Sequence, residues 1–238
     1  MNYFIQILIL TILVCFVFHS MFVETKYIYK HNLTKHNFKN NGYTVFTIDD
    51  ILNDNECLTL IDVSEPKLIQ SSVISNEPRS NVRTSTNTFL KKESYLKNRR
   101  VSKILEKIET ISQKLSKKPN ENQEPLQVIR YETNQEYKPH YDCCVPMDST
   151  LCIEDTKKNG YRHSTFLVYL NDVEKGGETD FPLIDYKFRP KKGTGIFFYN
   201  LIPNESSYHK LSKHAGLPPI IGEKWVCNKW IRTKEYVY

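Results

Sequence analysis

Four residues in the C-terminal half have the types and spacing for oxygen chemistry on a metal: His140, Asp142, His214 and Lys224. The first two form a His-x-Asp pair in Tyr137-Lys-Pro-His140-Tyr-Asp142. The third lies in Lys213-His214-Ala-Gly216, and the lysine follows ten residues later in Gly222-Glu-Lys224-Trp225. Two imidazoles and one carboxylate can occupy one face of a metal and leave three positions open, the arrangement that non-haem Fe(II) oxygenases use. A lysine just beyond the third ligand can pair with the far carboxylate of a dicarboxylic co-substrate. The set therefore reads as a site for iron and 2-oxoglutarate.

Such ligands must converge from separate elements. If His140 and Asp142 lie on a strand, residues two apart point to the same face and both can reach one metal. The third ligand then comes from a distant strand, and on the residues alone His163 and His209 rival His214. Helical spacing of Val101, Ile104, Leu105, Ile108, Ile111 and Leu115 predicts a helix packed by one face on a sheet. Its stop is set by the polar 116–125 loop with Pro119 and Pro125. A shorter helix is expected after Asn53, an N-cap with Glu56 three residues on. Strands are predicted at 42–48, 126–131, 164–170, 195–199 and 224–231, rich in β-branched and aromatic residues and separated by turn glycines. Helices followed by many short strands indicate an α+β domain with a sandwich or jelly-roll core. Phe197, Phe198 and Tyr199 are expected in that core rather than on substrate. Trp225 and Trp230, five apart on one strand, face opposite sides, so at most one lines the cavity.

The 238 residues suggest one catalytic domain, and 39% apolar with 12% aromatic residues furnish a core. The net charge of +6 (33 basic, 27 acidic) is spread without a clustered basic stripe, so no nucleic-acid partner is expected. Residues 3–23 are almost wholly apolar and long enough to cross a bilayer. The bulky exit Ser20-Met-Phe-Val-Glu24 is a poor cleavage site. The expected organisation is a signal anchor at 1–23, a polar stalk at 24–42 and the catalytic domain at 43–238. Lys26, Lys30, Lys35 and Lys39 after the apolar run favour a cytoplasmic domain. Two sequons, Asn32-Leu-Thr34 and Asn204-Glu-Ser206, point to a lumen instead. Five cysteines follow the anchor, so at least one lacks an intrachain partner; Cys143 or Cys144 can pair with Cys152.

Beyond these spacings, the chain resembles the prolyl 4-hydroxylase family of Fe(II)/2-oxoglutarate dioxygenases, especially its small single-chain viral, plant and algal forms. The resemblance runs from about Ile48 to Ile231. Its matching segments are Arg83-Thr-Ser-Thr-Asn-Thr-Phe-Leu90, Gln127-Val-Ile-Arg-Tyr131, Tyr137-Lys-Pro-His140-Tyr-Asp142 and Tyr169-Leu-Asn-Asp-Val173. Gly176-Gly-Glu-Thr-Asp-Phe-Pro182, Pro190-Lys-Lys-Gly193, His214-Ala-Gly216 and Gly222-Glu-Lys-Trp225 continue in the family's order. The resemblance implies a double-stranded β-helix core, with His140, Asp142 and His214 binding Fe(II) and Lys224 pairing with 2-oxoglutarate. Tyr131 and Thr179 match positions that help hold the co-substrate; Tyr137, Arg162 and Trp230 match positions lining a peptide groove. His209 lacks the following Ala-Gly and has Pro219, not Lys, ten residues on, which selects His214. Lys224, where many 2-oxoglutarate oxygenases carry Arg, tilts the resemblance toward collagen-type and plant-type enzymes. Three departures stand out: Arg232 replaces a usual His, Asn134 a turn Gly, and Cys143-Cys144 follow the metal Asp.

The implied activity is trans-4-hydroxylation of prolyl residues in Pro-rich or collagen-like peptides, with ascorbate as reductant. The runners-up are a related oxygenase acting on another substrate and a non-catalytic peptide-binding module, which would have no need of all four residues. The expected location is the endoplasmic reticulum membrane, with a lumenal catalytic domain.

Overall fold

The computed structural model describes residues 33–38, 42–72, 82–144, 150–204 and 207–237. The expected anchor lies outside the described residues; among these, no helix is long and apolar enough to cross a membrane. In chain order the strands are β1 (Leu33–Phe38), β2 (Tyr43–Ile48), β3 (Ile69–Gln70), β4 (Thr86–Leu90), β5 (Leu126–Tyr131), β6 (Tyr137–His140) and β7 (Arg162–Tyr169). They continue as β8 (Lys175–Gly176), β9 (Thr179–Phe181), β10 (Tyr186–Phe188), β11 (Gly195–Tyr199), β12 (His214–Gly216), β13 (Pro219–Ile221) and β14 (Lys224–Arg232). The α-helices among the described residues are α1 (Asp54–Ser64), α2 (Arg99–Ser116) and α3 (Thr150–Asn159).

Eight strands form one antiparallel sheet in the order β1-β2-β11-β7-β14-β5-β4-β3, and β10-β9-β12-β6 form a smaller sheet opposite it. Alternation along the central strands divides their side chains between two layers. Phe166, Val168, Phe197, Trp225, Cys227 and Ile231 pack outward against the apolar stripes of α1 and α2. Ile129, Tyr131, Leu167, Tyr169, Ile196, Phe198 and Val226 point inward, where Phe181 and Phe188 of the small sheet meet them. The result is a mostly β jelly roll with helices on one face and its interior between two sheets. Trp230 shares the inward parity with Lys224 while Trp225 packs under the helices, as their odd spacing requires.

Local chemistry sets the helix ends. Asn53 caps α1 in a reciprocal box with Glu56, each side chain bonded to the other's backbone nitrogen at 2.9 Å. Asn98 accepts from Val101 N to start α2, and Lys117 ends it in the left-handed conformation (φ 58°). Asn134 takes φ 67°, so it fills the glycine turn without a glycine. Gly193 (φ 76°) is needed twice over: a Cβ there would collide with the Leu52 carbonyl oxygen.

Two expectations change. The stretch 24–42 is not all stalk, because β1 pairs with β2 from Leu33↔Ile48 to Phe38↔Tyr43 and extends the sheet. Its polar side chains fit an edge strand, which needs only one covered face. The structure also adds α3, whose only buried residues are Cys152 and Asn159, too few for a periodic signal.

Candidate active site

The small sheet places two of the candidate ligands. β6 and β12 run antiparallel with His140 opposite His214, so cross-strand pairing alone brings the rings to 4.4 Å between centroids. Asp142 joins them from just beyond β6 rather than from the strand itself; the chain bends after His140 and turns the carboxylate inward. Its Oδ1 lies 3.6 Å from His140 Nε2 and its Oδ2 3.7 Å from His214 Nε2. One ligand atom from each residue falls within 4.8 Å of the others. The rivals have other partners: the His209 ring packs at a tilt on Tyr43, and His163 Nδ1 lies 3.1 Å from Ser164 Oγ.

The tautomers follow from the outer contacts. His140 Nδ1 is 2.8 Å from the Lys138 carbonyl oxygen, and His214 Nδ1 is 2.9 Å from that of Ser212. Carbonyls only accept, so each Nδ1 carries a proton, which in a neutral ring leaves the Nε2 lone pair facing the centre. Burial pushes the His214 imidazole down to about 4, opposed by Asp142, so it is neutral near pH 7. Burial alone would raise the Asp142 carboxyl, but His214, His140 and Arg162 hold it well below the ordinary range. Two neutral imidazoles and an ionised carboxylate are the donor set an Fe(II) ion takes, and the residues fit it.

Packing fixes each ligand ring. Tyr137 stacks on His140 at 3.4 Å and 15°, and the Arg83 guanidinium lies 4.8 Å over the other ring, that of Tyr137. Phe181 and Phe198 pack on His214 at 5.6 and 4.9 Å. Phe198 is thus a core residue, as expected, that also holds a ligand.

Lys224 is 1% exposed, with Nζ 5.3 Å from the Tyr131 ring and 5.6 Å from that of Tyr169. Among the described residues it has no carboxylate within ion-pair distance. Burial pushes the amine down to about 7, only partly offset by Glu178. A buried lysine without a counter-ion fits the far carboxylate of 2-oxoglutarate. Thr179 is buried as well and meets the same Tyr169, accepting from its Oη at 2.7 Å.

The three groove candidates divide. Tyr137 lies at the ligands. Arg162 and Trp230 form a stacked wall, with the guanidinium 3.6 Å over the indole. Arg162 also binds Glu124 through two hydrogen bonds of 2.7 and 2.9 Å, and reaches the Asp142 carbonyl at 3.3 Å. Trp230 is 4% exposed. Both side chains are therefore held by the protein itself. Sequence reasoning assigned no role to Glu124, Thr165 or Asn200. Alternation would have put Thr165 on the inward face beside Leu167 and Tyr169, but nothing in the pattern pairs it with Asp142.

Close to Asp142 in the chain, Cys144 is disulfide-bonded to Cys152 of α3, while Cys143, Cys57 and Cys227 are free and buried. Burial and Asp142 push the Cys143 thiol up to about 12, which leaves it protonated and unreactive.

The chain as a whole is similar to known proteins of one family. Residues 126–232 match the profile of the 2OG-Fe(II) oxygenase superfamily. A protein of Acanthamoeba polyphaga mimivirus named as a prolyl 4-hydroxylase is 35% identical over 191 residues, 80% of this chain and 75% of the relative. Prolyl 4-hydroxylase 5 of Arabidopsis thaliana is 32% identical over 210 residues, 79% of this chain and 67% of the relative. The crystal structure of the viral collagen prolyl hydroxylase of Paramecium bursaria Chlorella virus-1, a 2OG complex, superposes with a TM-score of 0.60 at 32% identity. It covers 79% of this chain and 94% of that one.

Proposed function

This chain belongs to the prolyl 4-hydroxylase family of 2OG-Fe(II) oxygenases, and we propose that it converts peptidyl proline to 4-hydroxyproline. The observation that carries this is the interior between the two sheets, where His140, Asp142 and His214 converge and Lys224 of the facing sheet is buried with no carboxylate at ion-pair distance among the described residues. When bound, iron and 2-oxoglutarate supply oxidative decarboxylation: one oxygen atom of O2 enters succinate as CO2 leaves, and the other replaces a proline C–H by C–OH.

The chain's own residues bind and orient. Nε2 of each histidine and the Asp142 carboxylate hold the ion, and Lys224 with Tyr131 and Thr179 receives the co-substrate. The aromatic interior, with Phe181 and Phe198 at the ligands, excludes water from the reaction. Tyr137 and Arg162, each partly exposed, are the side chains assigned to the edge of a groove for an extended, polyproline-like peptide, with the buried Trp230 supporting Arg162 from behind. Ascorbate is the proposed reductant that restores the iron after turnover without substrate. The apolar 3–23 segment and the sequons support a membrane-anchored protein with its catalytic domain in the lumen of the endoplasmic reticulum.

The test is succinate release by the purified full chain with Fe(II), 2-oxoglutarate, ascorbate and a panel of Pro-rich peptides, beside His140→Ala. Peptide-stimulated turnover, lost in the variant and matched by one added oxygen on proline, is the expected result. Turnover with proline unmodified would discard the substrate assignment while keeping the oxygenase.

A further inference from the structure

Behind the metal ligands runs a buried polar chain that the family reading does not use. Thr165 and Asn200 are both fully buried, and Asp142 is nearly so. Asn200 Nδ2 is 2.9 Å from Thr165 Oγ1, which is 2.6 Å from Asp142 Oδ2. Asn200 sits at the end of β11, and its backbone is pinned: its N–H donates to the His163 carbonyl at 2.9 Å, and its carbonyl accepts from His209 N at 2.7 Å.

The direction of this chain is dictated by what each group can do. An ionised carboxylate only accepts. The short contact to Asp142 therefore requires the single hydroxyl proton of Thr165 to lie toward Oδ2. The hydroxyl oxygen must then accept from its other neighbour, and Asn200 Nδ2 can only donate. Turning the Asn200 amide over would set two lone pairs face to face. The remaining atom, Asn200 Oδ1, is buried without a hydrogen-bond partner, a cost that the fold accepts to keep the amide in this sense.

We propose that the Asn200–Thr165 relay is a positioning device that keeps Asp142 a one-oxygen ligand. The relay occupies Oδ2 with a charge-assisted hydrogen bond and leaves Oδ1, beside His140 Nε2, for the ion. A carboxylate that engaged an ion through both oxygens would consume one of the three positions that 2-oxoglutarate and dioxygen need. Thr165 and Asn200 act only through Asp142. The inference rests on the iron-oxygenase reading above and assigns a cause to its open coordination.

The discriminating pair is Thr165→Val, which keeps the branched shape without the hydroxyl, and Thr165→Ser, which keeps the hydroxyl without the methyl. The full chain is loaded anaerobically with Fe(II) and 2-oxoglutarate and read by the visible charge-transfer band of the chelated metal. With Co(II) alone, the ligand-field bands report coordination number. Thr165→Val is expected to shift both spectra and lose roughly 10–100-fold in iron affinity or turnover, the usual loss when an outer-shell partner is removed. Thr165→Ser is expected to keep the parent spectra. A Thr165→Val protein with unchanged spectra and turnover overturns the relay, as does a Thr165→Ser protein altered as strongly as Thr165→Val. Should the valine variant not accumulate as folded protein, Thr165→Ala carries the same expectation and the same overturning results. A parent chain that gives no charge-transfer band sinks the oxygenase reading itself, which separates the two failures.

Discussion

Lys224 shows how one residue's surroundings convert into a measurable pH dependence. Its amine is pushed down to about 7 by burial, with Glu178 opposing. A dicarboxylate that places its far end there restores the charge, so the bound amine titrates well above the free one. Below pH 7 both states are protonated and affinity is flat. Above it, only the free chain has lost the proton, so affinity for 2-oxoglutarate falls up to about tenfold per unit, with proton uptake on binding. Calorimetry in two buffers of different ionisation enthalpy, at about pH 6 and about pH 8.5, checks this; binding without proton uptake at the higher pH would refute it. The co-substrate-free fold runs the other way with pH. A depressed lysine contributes stability that is present above the unfolded value of about 10.4 and is lost as pH falls toward 7. Lys224→Ala removes one partner of a buried charge pair, a loss of about 2 kcal/mol or more, so the KM for 2-oxoglutarate should rise roughly 30-fold or more. Steady-state kinetics would show a change confined to kcat if this assignment were wrong. At this scale the sequence was most legible: His140, Asp142, His214 and Lys224 have chemistry that is rare enough in combination to stand out. Thr165 and Asn200 were not, because hydroxyls and amides act through partners that only the fold supplies.

Elements meet behind the Arg162–Trp230 wall through a buried ion network. Glu124, 3% exposed just before β5, accepts from Arg162 of β7 and from Arg232 Nε of β14 at 2.6 Å. Arg232 in turn donates to Asp155 of α3 at 2.7 Å and to the Gly160 carbonyl at 2.9 Å. Arg232 is the residue that departs from the family's usual histidine. Here it serves as a brace, holding α3 together with the Cys144–Cys152 disulfide one helical turn away. Burial alone would raise the Glu124 carboxyl, but the two guanidiniums lower it, so it stays charged. Glu124→Gln leaves the buried Arg232 with Asp155 alone and the half-buried Arg162 without its carboxylate, a loss of up to about 3–5 kcal/mol. For a chain of this size each kcal/mol is worth about 2–4 °C in Tm. Thermal denaturation should also be accompanied by a raised KM for peptide as Arg162 loosens. An unchanged Tm would mean that water already reaches these guanidiniums. The same network explains why α3 was illegible while α2 was plain. The α2 sequence repeats apolar residues at helical spacing, whereas α3 is fastened by a disulfide and an ion pair to residues far along the chain. Strands of three or four residues, such as β6 and β12, are likewise too short for alternation to register.

At the scale of the whole molecule, the double-sheet architecture followed from the order of helices and short strands, but its N-terminal limit did not. Leu33–Phe38 reads as polar stalk because one face of an edge strand meets water. Its other face is not idle. His36 Nε2 lies 2.9 Å from Thr47 Oγ1, and its ring packs on Phe188 at 5.4 Å. Phe38 meets Tyr186 at 5.4 Å. β1 thus belongs to the large sheet by its backbone and touches β10 of the small sheet by its side chains, joining the two layers at one end. Removing it should cost about 1–3 kcal/mol in lost aromatic burial and expose the pairing edge of β2 to other chains. A chain that begins at Gly42 is therefore expected to melt lower than one beginning at Thr25 and to self-associate. Thermal denaturation and size-exclusion chromatography of the two, beside the full chain, decide the matter. Equal melting and equal elution would return 24–42 to the role of a stalk. A drop confined to the shorter chain would set the start of the catalytic domain at or before Leu33, ten residues closer to the membrane-length apolar segment than composition indicates.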